Sequence, residues 1–246
     1  MYNLTGRTAL ITGATSGIGE ATAKCLAAEG CKVVLTGRNR EKGRALEKEI
    51  TLSGNIAAYV PCDISQENEV VSLIERTVEL FGEIDILFNN AGIMLPSMEI
   101  ERMPVEEWRE TFDINVHGYF LVTRYAKPYL LRSRGVIVNN ASIAGMHSYA
   151  MGRSYAYSAS KAAVIQFSRQ MAKNYGEEGI RVNCICPGIV QTPVLHGRNP
   201  KLYEDRIPLG RVAQPKDIAK VVAFLVSDEA AYLTGVVLPI DGGATL

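Results

Sequence analysis

Short, continuously apolar runs alternate with longer segments of mixed polarity along the whole 246-residue chain. The apolar runs, which we interpret as strands, span residues 7–12, 32–36, 56–60, 84–88, 134–140, 180–185 and 235–240. The segments between them have helical periodicity near 17–29, 39–53, 66–81, 104–131, 155–176 and 215–227. Strands that are apolar throughout are typical of a sheet covered on both faces. The repeated strand–helix–strand order predicts an α/β fold with a doubly wound parallel sheet and helices on both faces, a three-layer sandwich.

One irregular segment departs from this alternation. Residues 191–212 contain too many prolines and glycines to form one long element. A connection of that length inside a compact unit is usually a lid or a binding loop. Because no repeat, linker or low-complexity run divides the chain, we expect a single domain over residues 1–246, with 191–212 as its substrate lid.

Composition and charge exclude several classes of function. Lys plus Arg and Asp plus Glu both number 26, and the absence of a basic block or acidic tail argues against a nucleic acid or membrane partner. The N-terminus lacks the pattern of a signal peptide, and no apolar stretch reaches the roughly 18 residues of a membrane span. Five scattered cysteines and three distant histidines predict neither disulfides nor a metal site. We therefore expect a cytoplasmic protein with reduced cysteines.

A glycine-rich turn joins the first predicted strand to the first predicted helix. The stretch ALITGATSGIGEATA places Gly13, Gly17 and Gly19 there, with Thr15 and Ser16 as additional donors. Glycines allow the backbone to approach a pyrophosphate, and the N-terminus of the helix stabilises its charge. A dinucleotide site is therefore expected, and a tight turn without a ligand is the structural alternative.

Two residues after later strands bear on the choice of nucleotide. NAD-selective folds tend to place an acidic residue after the second strand, where this chain has Thr36 and Gly37 followed by Arg38. A guanidinium group suits a 2′-phosphate, so NADP(H) is expected ahead of NAD(H), although a solvated arginine is the alternative. Asp63, after the third strand, would either accept a hydrogen bond from an adenine amino group or cap the next helix.

The stretch SYAYSASKAA contains two tyrosines and a lysine. In a helix, residues four apart share a face, so Tyr157 rather than Tyr155 lies beside Lys161. A phenol ordinarily titrates near pH 10, and a neighbouring cation is expected to lower its pKa. The pair therefore indicates a proton-transfer site.

Together with TGATSGIG, NNAG, INVHG, NNASIAG and CPGIVQTP, this stretch makes the chain resemble the short-chain dehydrogenase/reductase family over essentially its whole length. The resemblance implies a Rossmann-type fold, hydride transfer between a nicotinamide and an alcohol–carbonyl pair, and usually a homotetramer. It implies that Tyr157 is the general acid of reduction and that Lys161 binds the nicotinamide ribose. It also implies that Ser142 orients the substrate oxygen and that Asn115 holds a proton-relaying water, whereas a capping Ser142 and a structural Asn115 are the alternatives.

The same resemblance assigns the remaining site positions. Those expected to bind the cofactor are Gly13, Thr15, Ser16, Gly17, Ile18, Gly19, Arg38, Asp63, Ile64, Asn90, Ala91, Gly92, Tyr157, Lys161, Pro187, Gly188, Val190 and Thr192. Those expected to face the substrate are Met94, Leu95, Ala144, Met146, His147, Met151 and Val194. The second set is mostly apolar, which favours a hydrophobic steroid, acyl or cyclic ketone. The loop between Ser142 and Tyr157 is longer than in many relatives, and we expect it to shape specificity.

Residues 208–243 resemble a bacterial branch of the family that includes the 3-oxoacyl-carrier-protein reductases, so reduction of a 3-oxoacyl carrier protein is an alternative function. Glu177 and Glu178 occupy positions where that branch often has a basic residue, and the lid is a few residues shorter than in that branch. Both features weaken this alternative. Arg132 and Arg134 would either contact a carrier protein or be solvated. An alternative of another class is a non-catalytic nucleotide sensor or scaffold, which would not need to retain the catalytic side chains.

Overall fold

The computed structural model describes residues 2–96, 98–147, 154–195, 199 and 201–246, and its centre is a seven-stranded sheet. The strands are β1 (Thr8–Thr12), β2 (Lys32–Gly37), β3 (Ile56–Pro61), β4 (Ile86–Asn89), β5 (Val136–Asn140), β6 (Arg181–Pro187) and β7 (Val237–Ile240). Their order is β3-β2-β1-β4-β5-β6-β7, and every neighbouring pair is parallel. The predicted doubly wound parallel sheet is confirmed.

The helices largely follow the predicted periodicity. They are α1 (Gly17–Ala28), α2 (Arg40–Leu52), α3 (Glu67–Phe81), α4 (Val105–Phe112), α5 (Gly118–Ser133), α6 (Tyr155–Tyr175), α7 (Lys201–Glu204) and α8 (Pro215–Val226). Asn39 caps α2, because its side chain accepts a hydrogen bond from the backbone amide of Lys42 at 2.9 Å. The predicted helical stretch near 104–131 is helical from Val105 to Ser133, with a π-helical turn at Asp113–His117 between α4 and α5. The short helix α7 was not predicted.

Two hydrophobic cores lie on opposite faces of the sheet. Alternate residues of each strand point to opposite faces, so that Leu10 packs into one core and Ile11 into the other. The first core lies beneath α3, α5 and α6, and the second beneath α1, α2 and α8. The central strands β1, β4 and β5 are buried throughout, whereas the edge strands β3 and β7 are partly exposed. The continuously apolar runs therefore reflect coverage on both faces.

The strand order reverses between β1 and β4, and this reversal opens a crevice at the carboxyl ends of the strands. The irregular segment 191–212 leaves and rejoins the fold beside this crevice. Its base is closed by a bridge between Val190 and Ala213 and by a 2.8 Å hydrogen bond from the Gln191 amide to the Ala213 carbonyl. No helix among the described residues is long and apolar enough to cross a membrane.

Candidate active site

A cavity of about 660 Å³ occupies the crevice at the carboxyl ends of the strands. All but one of the predicted cofactor-binding positions line it, although they come from six separate chain segments. The exception is Gly19. This convergence follows from the topology, because parallel strands deliver the loops that follow them to one edge of the sheet.

The glycine turn is shaped by close backbone contacts. Gly13 has a φ of +61°, and a Cβ atom there would lie 2.7 Å from the Ala91 Cα atom. A Cβ atom on Gly19 would lie 2.3 Å from the Gly13 carbonyl oxygen, so Gly19 packs α1 onto the turn and does not face the cavity. Ser16 precedes α1 and makes no capping hydrogen bond with its side chain. Backbone donors at this end of α1 therefore face a region where an anion would be stabilised.

Arg38 and Asp63 face each other across the far end of the cavity, where Arg38 Nη1 and Asp63 Oδ2 are 3.9 Å apart. The other oxygen of Asp63 accepts hydrogen bonds from the amide and the hydroxyl of Ser65, at 3.0 and 2.8 Å. Asp63 therefore holds the turn before α3 and also lines the cavity. The side chain of Arg38 is 61% exposed, which leaves its guanidinium accessible to an anionic ligand.

Asparagine side chains tie the floor of the cavity to the glycine turn. The Asn90 side chain donates hydrogen bonds to the carbonyls of Thr12 and Gly13, at 2.9 and 3.2 Å. Asn140, the last residue of β5, donates to Asn90 Oδ1 at 2.9 Å. The side chains of Asn90 and Asn140 therefore line the cavity and also hold the turn.

Tyr157, Ser142 and Lys161 meet at the other end of the cavity. Ser142 begins a 3₁₀ turn at Ile143–Gly145, where its Oγ atom accepts a hydrogen bond from the Ala144 amide at 3.1 Å, and its hydroxyl also hydrogen-bonds the phenol of Tyr157. Lys161 Nζ lies 5.7 Å from the centroid of the Tyr157 ring. Tyr155 is 38% exposed and does not line the cavity. The structure therefore places Tyr157, and not Tyr155, beside Lys161 and Ser142.

The electrostatics of this group differ from the expectation. Burial raises the pKa of Tyr157, and the opposing hydrogen bond from Ser142 does not outweigh it. The predicted lowering of the pKa of Tyr157 by Lys161 is wrong for these side chains, because loss of hydration disfavours the phenolate. Burial also lowers the pKa of Lys161, from 10.5 to about 8.

Asn115 lies in the π-helical turn, behind the cavity wall. Its Oδ1 atom accepts a hydrogen bond from the Ile93 amide at 2.8 Å, and its Nδ2 atom donates to the Ile93 carbonyl and to Ser160 Oγ, both at 3.0 Å. These contacts use both amide hydrogens and fix the loop after β4. They support the structural alternative for Asn115, and the water relay remains a prediction.

The predicted substrate positions are only partly brought together. Met94 lines the main cavity, and Leu95 lines a small recess that adjoins Tyr157. Ala144, Met146 and His147 do not line the cavity, because the 3₁₀ turn after Ser142 buries Ala144, packs Met146 on the core and exposes His147. Met151 and the side chain of Val194 lie outside the described residues.

Several residues at the cavity were missed by the sequence analysis. They include Ile93, Asn140, Ile143, Ile189, Leu195 and Tyr203. Most of them adjoin a predicted site residue at a strand end, and that adjacency was the available signal. Tyr203 had no such signal, since it comes from α7 within the irregular segment.

A parallel sheet with a glycine turn, and a tyrosine, serine and lysine in the same cavity, define the class of dinucleotide-dependent oxidoreductases. A family model described as enoyl-(acyl carrier protein) reductase matches residues 13–245. The chain belongs to the short-chain dehydrogenase/reductase family. It is therefore an NAD(P)(H)-dependent oxidoreductase that acts on CH–OH groups.

Individual relatives are similar over nearly the whole chain. A 3-oxoacyl-acyl-carrier-protein reductase of Thermotoga maritima is 39% identical over 99% of both chains. A 2,5-dichloro-2,5-cyclohexadiene-1,4-diol dehydrogenase of Sphingobium indicum is 39% identical and covers 100% of this chain and 99% of its own. A dehydrogenase/reductase of Sinorhizobium meliloti has a crystal structure that superimposes with a TM-score of 0.94 at 35% identity, covering 100% of this chain and 97% of its own.

Proposed function

We propose that the protein interconverts a ketone and a secondary alcohol with NADP(H), and that its substrate is apolar. The observation that carries this proposal is the hydrogen bond between Tyr157 and Ser142 in the same cavity as the glycine turn. Two hydroxyl groups at that position can both bind one carbonyl oxygen. A non-catalytic sensor would not require this arrangement.

The residues present fit a dinucleotide. The turn at Gly13 and Gly17, together with Ser16 and the N-terminus of α1, would hold the pyrophosphate, and Lys161 would bind the nicotinamide ribose. Arg38 would bind a 2′-phosphate, for which it offers planar, charge-assisted hydrogen bonds. The bound cofactor supplies or accepts the hydride at the substrate carbon.

The proton is handled by the protein. During reduction, the hydroxyl of Tyr157 transfers its proton to the substrate oxygen, while Ser142 donates a hydrogen bond that orients that oxygen. The raised pKa of Tyr157 keeps the phenol protonated at neutral pH, which suits this acid role. Alcohol oxidation needs the phenolate, so it is expected to require a higher pH than reduction.

Apolar side chains contribute to the lining of the cavity that holds Tyr157 and Ser142. Ile93, Met94, Ile143, Ile189 and Leu195 line it together with Tyr203. Such a surface binds a hydrocarbon ring or chain by removing it from water. The relative that acts on a cyclohexadiene diol supports a cyclic substrate in particular.

The catalytic proposal is tested with Tyr157→Phe, and Tyr155→Phe is the matched control. Cofactor oxidation is followed with a panel of steroid, cyclic and acyl-thioester ketones. Tyr157→Phe should lose at least about 100-fold in turnover, since general acid catalysis contributes that much, and should retain cofactor binding. Unchanged turnover in Tyr157→Phe would refute the mechanism.

The cofactor proposal is tested with Arg38→Ala. Its control is Arg40→Ala, because Arg40 lies two residues away and does not line the cavity. Arg38→Ala should weaken NADPH binding by about 10- to 100-fold, the loss expected for a charge-assisted hydrogen bond, and leave NADH binding nearly unchanged. Equal losses for the two cofactors would contradict the assignment.

The alternative substrate is a 3-oxoacyl group on a carrier protein, which the Thermotoga maritima relative favours. Glu178 is neutralised by Lys127, at 2.8 Å, so that only Glu177 adds unpaired negative charge. The guanidinium carbon of Arg132 lies 4.6 Å from the centroid of the Tyr129 ring. Both residues lie near the end of α5, just before β5 begins, and therefore at the edge of the sheet opposite the cavity. A carrier-bound ketone that is reduced much faster than the cyclic ketones would establish this alternative.

A homotetramer in the cytoplasm is also proposed. Exposed apolar side chains on α5, namely Phe120 at 41% and Leu131 at 43%, support an association surface on that helix. Light scattering coupled to size exclusion should give four times the 26.8 kDa chain mass. Phe120→Glu should then reduce the assembly, whereas a monomeric parent protein would rule out the tetramer.

A further inference from the structure

The environment of Lys161 contains a residue that the family resemblance did not assign. Lys161 is only 3% exposed, and its Nζ atom donates a 2.8 Å hydrogen bond to the backbone carbonyl of Asn140. No ion pair of Lys161 with a carboxylate is found among the described residues. Its positive charge must therefore be stabilised by dipoles and ring faces.

Tyr119 of α5 interacts with Lys161 directly through its ring and indirectly through a shared hydrogen-bond acceptor. Its ring centroid lies 5.5 Å from Lys161 Nζ, within the range of a cation–π interaction. Its hydroxyl donates a 3.1 Å hydrogen bond to the same Asn140 carbonyl that accepts from Lys161. Tyr119 is fully buried, and burial keeps its pKa well above the ordinary value, so the hydroxyl remains a donor.

The shared carbonyl is held firmly. Asn140 ends β5 and pairs with Ile185 in the parallel ladder of β6. Its side chain donates to Asn90, which in turn holds the carbonyls of the glycine turn. A chain of hydrogen bonds thus joins the glycine turn to Lys161. At the lysine end of this chain, the hydroxyl of Tyr119 donates to the same Asn140 carbonyl as Lys161.

Among the described residues, few other titratable groups face Lys161. Tyr157 lies on the same helix, and the thiols of Cys184 and Cys186 face it from β6. A thiolate in this pair would also favour the charged lysine. An experiment must therefore separate the effect of the Tyr119 ring from that of the thiols.

We propose that Tyr119 is a positioning residue for Lys161: its ring stabilises the buried ammonium, and its hydroxyl shares and orients the Asn140 carbonyl that holds it. Tyr119 does not reach the cavity, and it acts on catalysis only through Lys161. The proposal rests on the catalytic role proposed for Lys161. Its test reads the lysine directly and does not depend on turnover.

The experiment is an NMR titration of the protein containing isotope-labelled lysine. The Lys161 signal is assigned as the one missing from Lys161→Met, and its midpoint should lie near 8 in the parent protein. Tyr119→Leu removes ring and hydroxyl and should lower the midpoint by about one pH unit. Tyr119→Phe retains the ring, leaves the Asn140 carbonyl wholly to Lys161, and should raise the midpoint by about 0.5 unit.

Three results would overturn the proposal. The first is an unchanged midpoint in Tyr119→Leu, and the second is a fall in Tyr119→Phe as large as in Tyr119→Leu. The third is a greater shift in Cys184→Ala than in Tyr119→Leu, which would assign the effect to the thiol. If Tyr119→Leu does not fold, Tyr119→Phe decides alone, because a midpoint that fails to rise contradicts the shared carbonyl. Unchanged turnover in Tyr119→Leu together with the expected midpoints would count against the proposed catalytic role of Lys161 and not against its contact with Tyr119.

Discussion

The buried lysine of the candidate site should reduce the stability of the folded protein. At neutral pH the folded chain holds a charged Lys161 whose pKa burial has lowered from 10.5 to about 8. This drop corresponds to about 3 kcal/mol of unfavourable free energy, at 1.36 kcal/mol per pH unit. Lys161→Met removes the charge but keeps an unbranched apolar side chain, and Tyr119 still donates to the Asn140 carbonyl. We therefore expect Lys161→Met to raise the free energy of unfolding at pH 7 by up to about 3 kcal/mol, while turnover is lost.

The effect has a defined pH dependence. Below about pH 8 the lysine is protonated in both the folded and the unfolded chain, so the whole cost is present. Between about pH 8 and 10.5 the unfolded chain holds a proton that the folded chain has lost, so the stability of the parent protein rises with pH. The difference between the parent protein and Lys161→Met should therefore shrink across this window.

The assay is urea unfolding followed by circular dichroism at pH 7 and pH 9.5. Protein concentration is held constant, because subunit association would make stability depend on it. Lys173→Met is the matched control, since Lys173 is exposed on the same helix, and its effect should stay within about 0.5 kcal/mol. The reasoning is refuted if Lys161→Met is less stable than the parent protein at pH 7, or if the difference between them is the same at both pH values.

Three further predictions concern glycines and thiols. Gly92→Ala places a Cβ atom 3.1 Å from Asn115 Oδ1 and 3.4 Å from Lys161 Nζ, and the tight contact with Asn115 should lower turnover roughly tenfold with little change in melting temperature, because misplaced groups react slowly; full activity would contradict this geometry. Gly43→Ala places a Cβ atom 2.1 Å from the Tyr59 ring, and should cost about 1–3 kcal/mol by overpacking although alanine favours helices. In a Tyr59→Ala background, Gly43→Ala should instead stabilise the protein. If Gly43→Ala stabilises the parent protein, the added Cβ atom does not clash with the Tyr59 ring. Burial raises the pKa of Cys31 and Cys62 to about 12, so a thiol reagent at pH 8 should label them only after unfolding, and rapid labelling of the folded protein would contradict their burial.

The order of strands and helices, and the identity of the glycine turn, could be predicted because they depend on local features. Continuous apolar runs indicate buried parallel strands wherever they occur, and a glycine such as Gly13 is required by its own backbone angle and by the backbone beside it. The choice of Tyr157 over Tyr155 was likewise local, because it depends only on the spacing to Lys161 along a helix.

The π-helical turn between α4 and α5 could not be predicted in the same way. The π-helical turn at Asp113–His117 contains neither proline nor glycine, so no local signal interrupts the helical pattern of 104–131. The predicted substrate positions Ala144, Met146 and His147 do not line the cavity for a related reason. Gly145 allows the 3₁₀ turn to pack on α6, where a Cβ atom would lie 2.5 Å from the Lys161 carbonyl carbon, and this contact depends on a helix that begins ten residues later.

The chemistry of the candidate site shows the same division. Its residue types and their order along the chain were present in the sequence, since four-residue helical spacing and turn glycines are short-range properties. The protonation states of those residues could not be predicted from the sequence. The pKa values of Tyr157 and Lys161 depend on how completely the folded chain removes water from them. Tyr119 reaches Lys161 only because α5 and α6 pack side by side on one face of the sheet, 42 residues apart in the chain. Long-range packing therefore sets the charge of the site, while local sequence sets its composition.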